Sequence, residues 1–506
     1  MSANNLIFQV DGKPSFGKLL IFALQQVLAV LAATILVPTI IGLPVQIPAA
    51  ILGAGVGTLV YLVFTRFKSP VIISSSFAFL GALSNAIAFG YLGIMLGAAF
   101  AGLVYVVIAL IVKFVGTEWV NKLMPPVIIG PTVALIGLSL AGNATADVVT
   151  ATADPVNGGY NLIALFCGLV TFFTVVICSV QNKFKTGRLI PFIIGILAGY
   201  VCASIFSAIG YAANIDYFKI INWSPLTDLF KDISLQSFLD LPKIALVEGI
   251  LEIKNGAVNA DILAVNPDAT VLTPIGVAEV ALAFIPVAFV TFAEHIADHK
   301  NLSSVIGQDL LAEPGLSRTL LGDGVGSIAG TVFGICPNTT YGESVGCVAI
   351  TKNASVRTIL AAAIMLVLLS FLAPLTGALR TIPNCVMGGV CLTLYGFIAV
   401  SGFKMFQKVD LNQSKNLFIV AAILISGIGG LSLQIPYAFY KDTDNAVLAG
   451  LAKVGQVKNA ITITSIATAL ILGIVTMVIC NAVEKHNAPE ENEPAEEAPA
   501  EEQVEE

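Results

Sequence analysis

Cys336-Pro-Asn-Thr-Thr-Tyr-Gly-Glu-Ser-Val-Gly346 sets a polar run of glycine and hydroxyl residues, with one carboxylate, between segments that otherwise read as membrane. A charge at the centre of a bilayer helix costs roughly 2.5–3.5 kcal/mol on insertion scales. Glu343 therefore belongs beside a polar cavity rather than against lipid. The surroundings make this reading necessary: 57% of the 506 residues are hydrophobic and 11% charged, against about 25% charged in soluble globular chains. The chain is expected to be an all-α polytopic membrane protein.

About 20 apolar residues cross the hydrocarbon core, and that length divides the chain into fourteen transmembrane segments in two sets of seven. The first set is 19–44, 49–67, 71–87, 91–116, 120–142, 160–180 and 189–210; the second is 276–299, 318–335, 338–351, 355–379, 384–406, 414–433 and 460–483. The polar N-terminus (1–18) and the length of the first apolar run exclude a cleaved signal as the reading of that run. With both termini on the cytoplasmic side, 17 of the 25 Lys and Arg fall in inside loops and 8 outside, as the positive-inside rule requires. Residues 211–275 form a long external loop in which Ile244–Ile253 reads as a surface-lying helix. The tail 484–506, rich in Glu, Ala and Pro, reads as a disordered acidic cytoplasmic segment. The eight cysteines, scattered in or beside apolar segments without CxxC spacing, read as small buried hydrophobes and imply neither disulfide nor metal.

Segment three contains Ser74-Ser-Ser-Phe-Ala-Phe79 and segment ten contains Asn338-Thr-Thr-Tyr-Gly-Glu343. Each is the third element of its set, and each is rich in β-branched, aromatic and hydroxyl residues. Matched interrupted helices of this kind point to an inverted-repeat transporter, with short extended stretches in segments 3 and 10 leading into half-helices. Small hydroxyl residues at ordinary helix contacts are the other reading, but it leaves Glu343 unexplained.

A second intramembrane carboxylate lies in Phe292-Ala-Glu-His-Ile-Ala-Asp-His299. Glu294 and Asp298 are four apart and share one helix face, as do His295 and His299. Two acids so close in an apolar segment suit one of them to hold and release a proton. Asp298 and His299 have a second reading, at the cytoplasmic mouth, capping the helix end beside Lys300. The histidine pair has the spacing of a helical zinc site, which keeps a membrane-embedded metalloenzyme as a remote alternative. Its only further histidine is His486 in the tail, and HExxH is missing from the sequence.

Pro337–Gly346, Ala293-Glu-His295, Ser75–Phe79, Leu24-Gln-Gln26, Thr34–Pro38, Val386–Gly389 and Leu394-Tyr-Gly396 together resemble the nucleobase–ascorbate transporter family, also called nucleobase:cation symporter 2. The Thr-Tyr-Gly-Glu run is similar to its uracil branch rather than to its xanthine and purine branch. The resemblance implies a core domain of segments 1–4 and 8–11, a gate domain of segments 5–7 and 12–14, and alternating access between them. It implies substrate contacts from Glu294, Glu343, Phe77, Tyr341, Gly342 and Tyr395, with proton coupling through Glu294, Asp298 or Glu343. It further implies a uracil:proton symporter of the plasma membrane, not an enzyme, with no cofactor beyond the proton and no nucleic-acid partner. A homodimer is its expectation for assembly. Two departures stand out: Asp298 occupies a position commonly held by His in the uracil carriers, and Gln25-Gln26 replaces a Gln-His pair. A xanthine- or purine-type symporter is the alternative within the family; an anion carrier of similar fold should instead present basic residues at the half-helices.

Overall fold

The computed structural model describes residues 6–151, 160–181, 187, 190–407, 409–436 and 460–487. Nine helices among these are long and apolar enough to cross a membrane, so the chain is a mostly helical polytopic membrane protein.

The first half of the chain runs α1 (Phe16–Ile40), α2 (Ile47–Phe64), β1 (Ile73–Ser75), α3 (Leu80–Ala86), α4 (Gly90–Val115), α5 (Glu118–Leu123), α6 (Pro126–Ser139), α7 (Ala141–Val148), α8 (Leu162–Val180) and α9 (Pro191–Ala213). After α10 (Ala245–Asn255), the second half runs α11 (Pro274–Ile306), α12 (Leu316–Phe333), β2 (Asn338–Thr340), α13 (Gly342–Thr351), α14 (Val356–Leu369) and α15 (Ala373–Arg380). It closes with α16 (Asn384–Phe406), α17 (Ser414–Ile428), β3 (Leu433–Pro436), β4 (Ala460–Ile463) and α18 (Ser465–Asn487).

Several boundaries differ from those hydropathy suggests. The run 120–142 is divided among three helices, and 355–379 is split after Leu369, with Pro126 and Pro374 in the first turns of α6 and α15. Proline suits a first turn, where its missing N–H is no loss, so both mark helix starts, although Pro38, Pro131 and Pro286 lie inside α1, α6 and α11. Hydropathy ends the eighth segment at His299, yet α11 continues through Lys300 and Asn301 to Ile306 and stops where Gly307 adopts φ 71°. A helix outruns its apolar stretch whenever polar residues with adequate propensity follow. Leu433 and Ala460–Ile463, read from sequence as ends of membrane segments, lie instead in strands, Leu433–Pro436 pairing antiparallel with Ala460–Ile463. The tail expected to lose order from Glu484 stays helical through Asn487; its remainder, 488–506, lies outside the described residues.

One group of helices packs α2 on α12, α4 on α12 and α11, and α14 on α2 and α1. A second group packs α6 on α16 and α17, α8 on α9 and α16, and α17 on α18. The α2–α12 contact is close because glycines face each other there: a Cβ on Gly53 would lie 2.3 Å from the Gly330 carbonyl oxygen. Small residues let membrane helices approach to backbone contact, where packing rather than hydrophobicity holds them.

Inside the first group β1 and β2 lie antiparallel, with Ile73 opposite Thr340, Ser74 opposite Thr339 and Ser75 opposite Asn338. Both strands are fully buried. Ser76 N donates to Pro337 O at 3.0 Å and Tyr341 N to Ile72 O at 3.3 Å, extending the ladder at both ends. Non-helical backbone survives at membrane depth only when its amides and carbonyls find partners inside the protein, and neighbouring helices supply the remainder. Thr58 Oγ1 on α2 accepts from Ile73 N at 3.1 Å and donates to Ile73 O at 3.0 Å. Ser327 Oγ on α12 accepts from Asn338 N at 3.0 Å, and Asn338 Nδ2 donates to Gly53 O at 2.9 Å.

The loop 211–275 has structure of its own. Helix α10 covers the stretch read as a surface helix and packs on α4. Its Glu252, buried, accepts from Asn259 N at 3.1 Å and from Leu92 N at 3.4 Å in the first turn of α4.

Candidate functional site

Beyond the paired strands the chain turns into half-helices. Phe77–Phe79 form a single 3-10 turn before α3, whereas α13 begins at Gly342 immediately after β2, with Glu343 in its first turn. A carboxylate in a first turn faces the positive end of the helix dipole. Ser344, next along, accepts from Ile72 N at 3.1 Å and donates to Gln26 Oε1 at 3.0 Å, so α1 fixes the entry angle of α13. Gln26, unusual as a buried amide in α1, is thereby explained.

Phe77, Glu294, Asp298, Tyr341, Gly342 and Glu343 line one cavity of about 40 Å³, closed on its other side by Val133 of α6 and by Phe397, Ile398 and Ser401 of α16. That is room for a water or two. Six of the residues singled out from sequence thus come together. Tyr395 reaches the same place indirectly, its ring edge-to-face with Phe77 at 5.5 Å between centroids. The Tyr341 hydroxyl faces inward to the ladder, donating to Ser75 O at 2.5 Å.

Asp298 lies well inside the helix. It accepts from Thr340 Oγ1 at 2.9 Å, and a Cβ on Gly342 would lie 3.6 Å from its Oδ1. The reading that placed Asp298 and His299 at a helix end is therefore corrected, because α11 runs on for two further turns and both side chains are buried. Glu294 Oε2 is buried and has no hydrogen-bond partner among the described residues. Burying an acceptor without a donor costs about 1–3 kcal/mol, so this oxygen is the site's strongest demand for an N–H.

Behind the cavity runs a polar network whose extent was not anticipated. His295 Nδ1 lies 2.7 Å from Asp323 Oδ2, and Thr339 Oγ1 on β2 donates to the same oxygen at 3.2 Å. His295 Nε2 lies 3.0 Å from Thr319 Oγ1. His299 stacks on His295 at 4.0 Å, with its Nδ1 2.8 Å from the His295 carbonyl oxygen and its Nε2 2.8 Å from the Tyr61 hydroxyl. A carbonyl only accepts, so Nδ1 of His299 carries the hydrogen. All four ring nitrogens are thus engaged by the polypeptide, which leaves the zinc-like spacing without a free ligand atom. Among the described residues there is no group of three or more His, Cys, Asp or Glu placed to hold a metal ion. Asp323 was overlooked; its signal was the same as Glu343's, an acid inside the apolar run Leu320–Gly334.

Residues 17–435 match the model of a permease family. The uracil permease of Bacillus caldolyticus is 36% identical over 442 residues, covering 86% of this chain and 91% of that one. The uracil permease of Escherichia coli (strain K12) is 32% identical over 445 residues, covering 87% and 92%. Two solved structures share the fold at low identity. The transmembrane domain of the cyanobacterium bicarbonate transporter BicA has a TM-score of 0.52 at 14% identity, covering 82% of this chain and 97% of that one. The murine Solute Carrier 26 family member A9 anion transporter, inward-facing, has a TM-score of 0.57 at 10% identity, covering 93% and 69%. The family model spans nearly the whole membrane region and the identities run over most of both chains, so the chain belongs to the permease family of these uracil permeases, the nucleobase–ascorbate transporter family its motifs resemble.

Proposed function

We propose that this protein is a proton-coupled uracil importer of the plasma membrane, working by alternating access, with the proton as its only coupling partner. The observation that carries the reading is the convergence of Glu294, with its unpartnered Oε2, and Glu343 on one cavity beside the Phe77 ring and the first turn of α13. Uracil presents two N–H donors and two carbonyl acceptors around a planar ring. Carboxylate oxygens would take the N–H groups, and backbone amides near Phe77 and Gly342 would take the carbonyls. A ring lacking one of these groups would strand a buried partner, which is a strong basis for selection. The named uracil permeases among the relatives support the same substrate.

The pairwise packing supports a seven-plus-seven inverted repeat. If each of the fourteen segments is exchanged for its mate seven places away, α2–α12 maps onto itself, α4–α12 onto α2–α14, and α4–α11 onto α1–α14. In the second group α6–α16 maps onto itself, α8–α9 onto α17–α18, and α8–α16 onto α6–α17. The first group would be the core, the second the gate. A cavity lined by α11 and α13 on one side and α6 and α16 on the other then lies where the two move against each other, and its small volume fits a closed state. The excess of Lys and Arg in the expected inside loops supports cytoplasmic termini, and a homodimer is the assembly proposed. Asp298, held by Thr340, is the proposed proton carrier with Glu294 and Glu343. Proton and substrate would each raise the other's affinity, as linkage requires.

Uptake of radiolabelled uracil into cells lacking their own carrier tests the reading, with xanthine and uric acid as competitors and a protonophore as control. Saturable, protonophore-sensitive uracil uptake is expected; purine uptake without uracil uptake would overturn the substrate. Asp298→Asn should abolish accumulation against a gradient while sparing exchange, and unchanged accumulation would remove Asp298 from the coupling.

A further inference from the structure

We propose a binding site for an anionic phospholipid on the side of the bundle, in a groove beside the N-terminal segment that shares no lining residue with the cavity. Residues 7–12 run beside 352–356 as a strap: Ile7 N donates to Lys352 O at 2.7 Å, Ala354 N to Phe8 O at 2.9 Å, Val356 N to Val10 O at 3.0 Å, and Ser355 Oγ to Gly12 O at 2.6 Å. The strap, α1, α14 and the turn after α2 enclose an open groove of about 680 Å³. This lies within the usual size of small-molecule sites, and the strap's hydrogen bonds give it a fixed wall.

The groove has two chemistries. Leu19, Phe67, Leu360 and Ile364 make its apolar surface, while Lys13 and Arg357 bring positive charge and Asp11 a single negative one. Neither Lys13 nor Arg357 forms an ion pair among the described residues; by contrast, Lys68 nearby in sequence is held by Glu313. Phe67 takes its place at the wall only because Arg66 and Phe67 both adopt positive φ, 54° and 55°. Bulky residues rarely take that conformation.

The apolar part continues outward. Leu360, Ile364 and Leu368 recur every four residues on one face of α14, the first two in the groove and Leu368 62% exposed beyond it. That stripe runs about 12 Å along the helix axis at 1.5 Å per residue, a track for an acyl chain leaving the groove for the bilayer. Phosphate at Lys13 and Arg357 with a chain on this track is the arrangement of a phospholipid. Basic pockets between membrane helices recognise acidic headgroups in this way. The net charge of the lining favours an anionic headgroup over a zwitterionic one.

The test is native mass spectrometry of the full chain from mild detergent, titrated with phosphatidylglycerol, phosphatidylethanolamine or inorganic phosphate. Wild type should retain phosphatidylglycerol in preference to phosphatidylethanolamine, undisturbed by inorganic phosphate. Lys13→Gln with Arg357→Gln should weaken retention by about 10- to 30-fold, from roughly 1 kcal/mol per basic residue. Lys13→Arg with Arg357→Lys should keep it, and Ala361→Trp, which obstructs the groove and leaves both charges, should lose it. Thermal unfolding verifies that each variant is folded, and the charge-preserving pair and Ala361→Trp decide the matter if the double Gln variant is not. Equal retention of the two lipids, displacement by inorganic phosphate, or retention unchanged in Ala361→Trp would overturn the proposal.

Discussion

The two broken segments use one backbone device for opposite chemistry. Ile73–Ser75 and Asn338–Thr340 are both three-residue buried strands, both pinned by a hydroxyl from a neighbouring helix, and both followed by a short helix. Segment three delivers an aromatic ring, Phe77, through a 3-10 turn; segment ten delivers an acid, Glu343, directly on a helix N-terminus. A shared scaffold thus leaves chemistry free to differ between the halves: one side presents a ring to the cavity and the other a carboxylate.

The sharpest way to break this contrast is to remove the acid while leaving the strand. Glu343→Gln should weaken equilibrium uracil binding by about 10- to 100-fold, the range for losing a hydrogen bond to a charged group, with thermal stability nearly unchanged. A loss below threefold would show that the two sides do not differ as described. The scaffold itself comes next: Thr58→Val strands the N–H and C=O of Ile73, and Ser327→Ala strands only the N–H of Asn338. Thermal unfolding should show both destabilised by about 1–3 kcal/mol, Thr58→Val the more. Phe77→Ala should cost uracil affinity about tenfold, from an aromatic contact of roughly 0.5–1.5 kcal/mol plus lost burial. Isothermal calorimetry that found it equal to Glu343→Gln would erase the division of labour.

The smallest effect lies in the 211–275 loop, none of whose acids lines the cavity. Burial holds the Glu252 carboxyl above its ordinary value of 4.5, against the lowering effect of the amides it accepts from. A group raised in the folded state gives its full stabilisation below its unfolded value and loses it as pH rises through the folded one. Docking of α10 on α4 should therefore loosen from acid toward neutral pH. Hydrogen exchange of residues 245–255, corrected for intrinsic rate, should show that slope, and Glu252→Gln should flatten it.

Much of this was legible in the sequence, for identifiable reasons. Lipid forbids stray charge, so Glu294, Asp298 and Glu343 announced themselves, and the hydroxyl-rich runs betrayed the broken segments. Asp323 obeys the same rule, but it stands between Gly322 and Gly324, which equally mark close helix packing. Pairing of Ser74 with Thr339 was beyond reach, since three residues carry no register signal and their partners are remote. Helix ends failed where hydropathy and helix propensity part company, as in α11 after His299. Strands β3 and β4 failed because short apolar runs look alike in strand and helix.

The ladder between β1 and β2 also constrains how the protein is made. Ser74 and Thr339 lie 265 positions apart (339 − 74). At about 5–20 residues per second of synthesis, the first strand waits roughly 13–53 seconds for its mate. Until then its unpaired amides need water or another host in place of lipid, so the first half reaches its native backbone pairing only once the second half has been made.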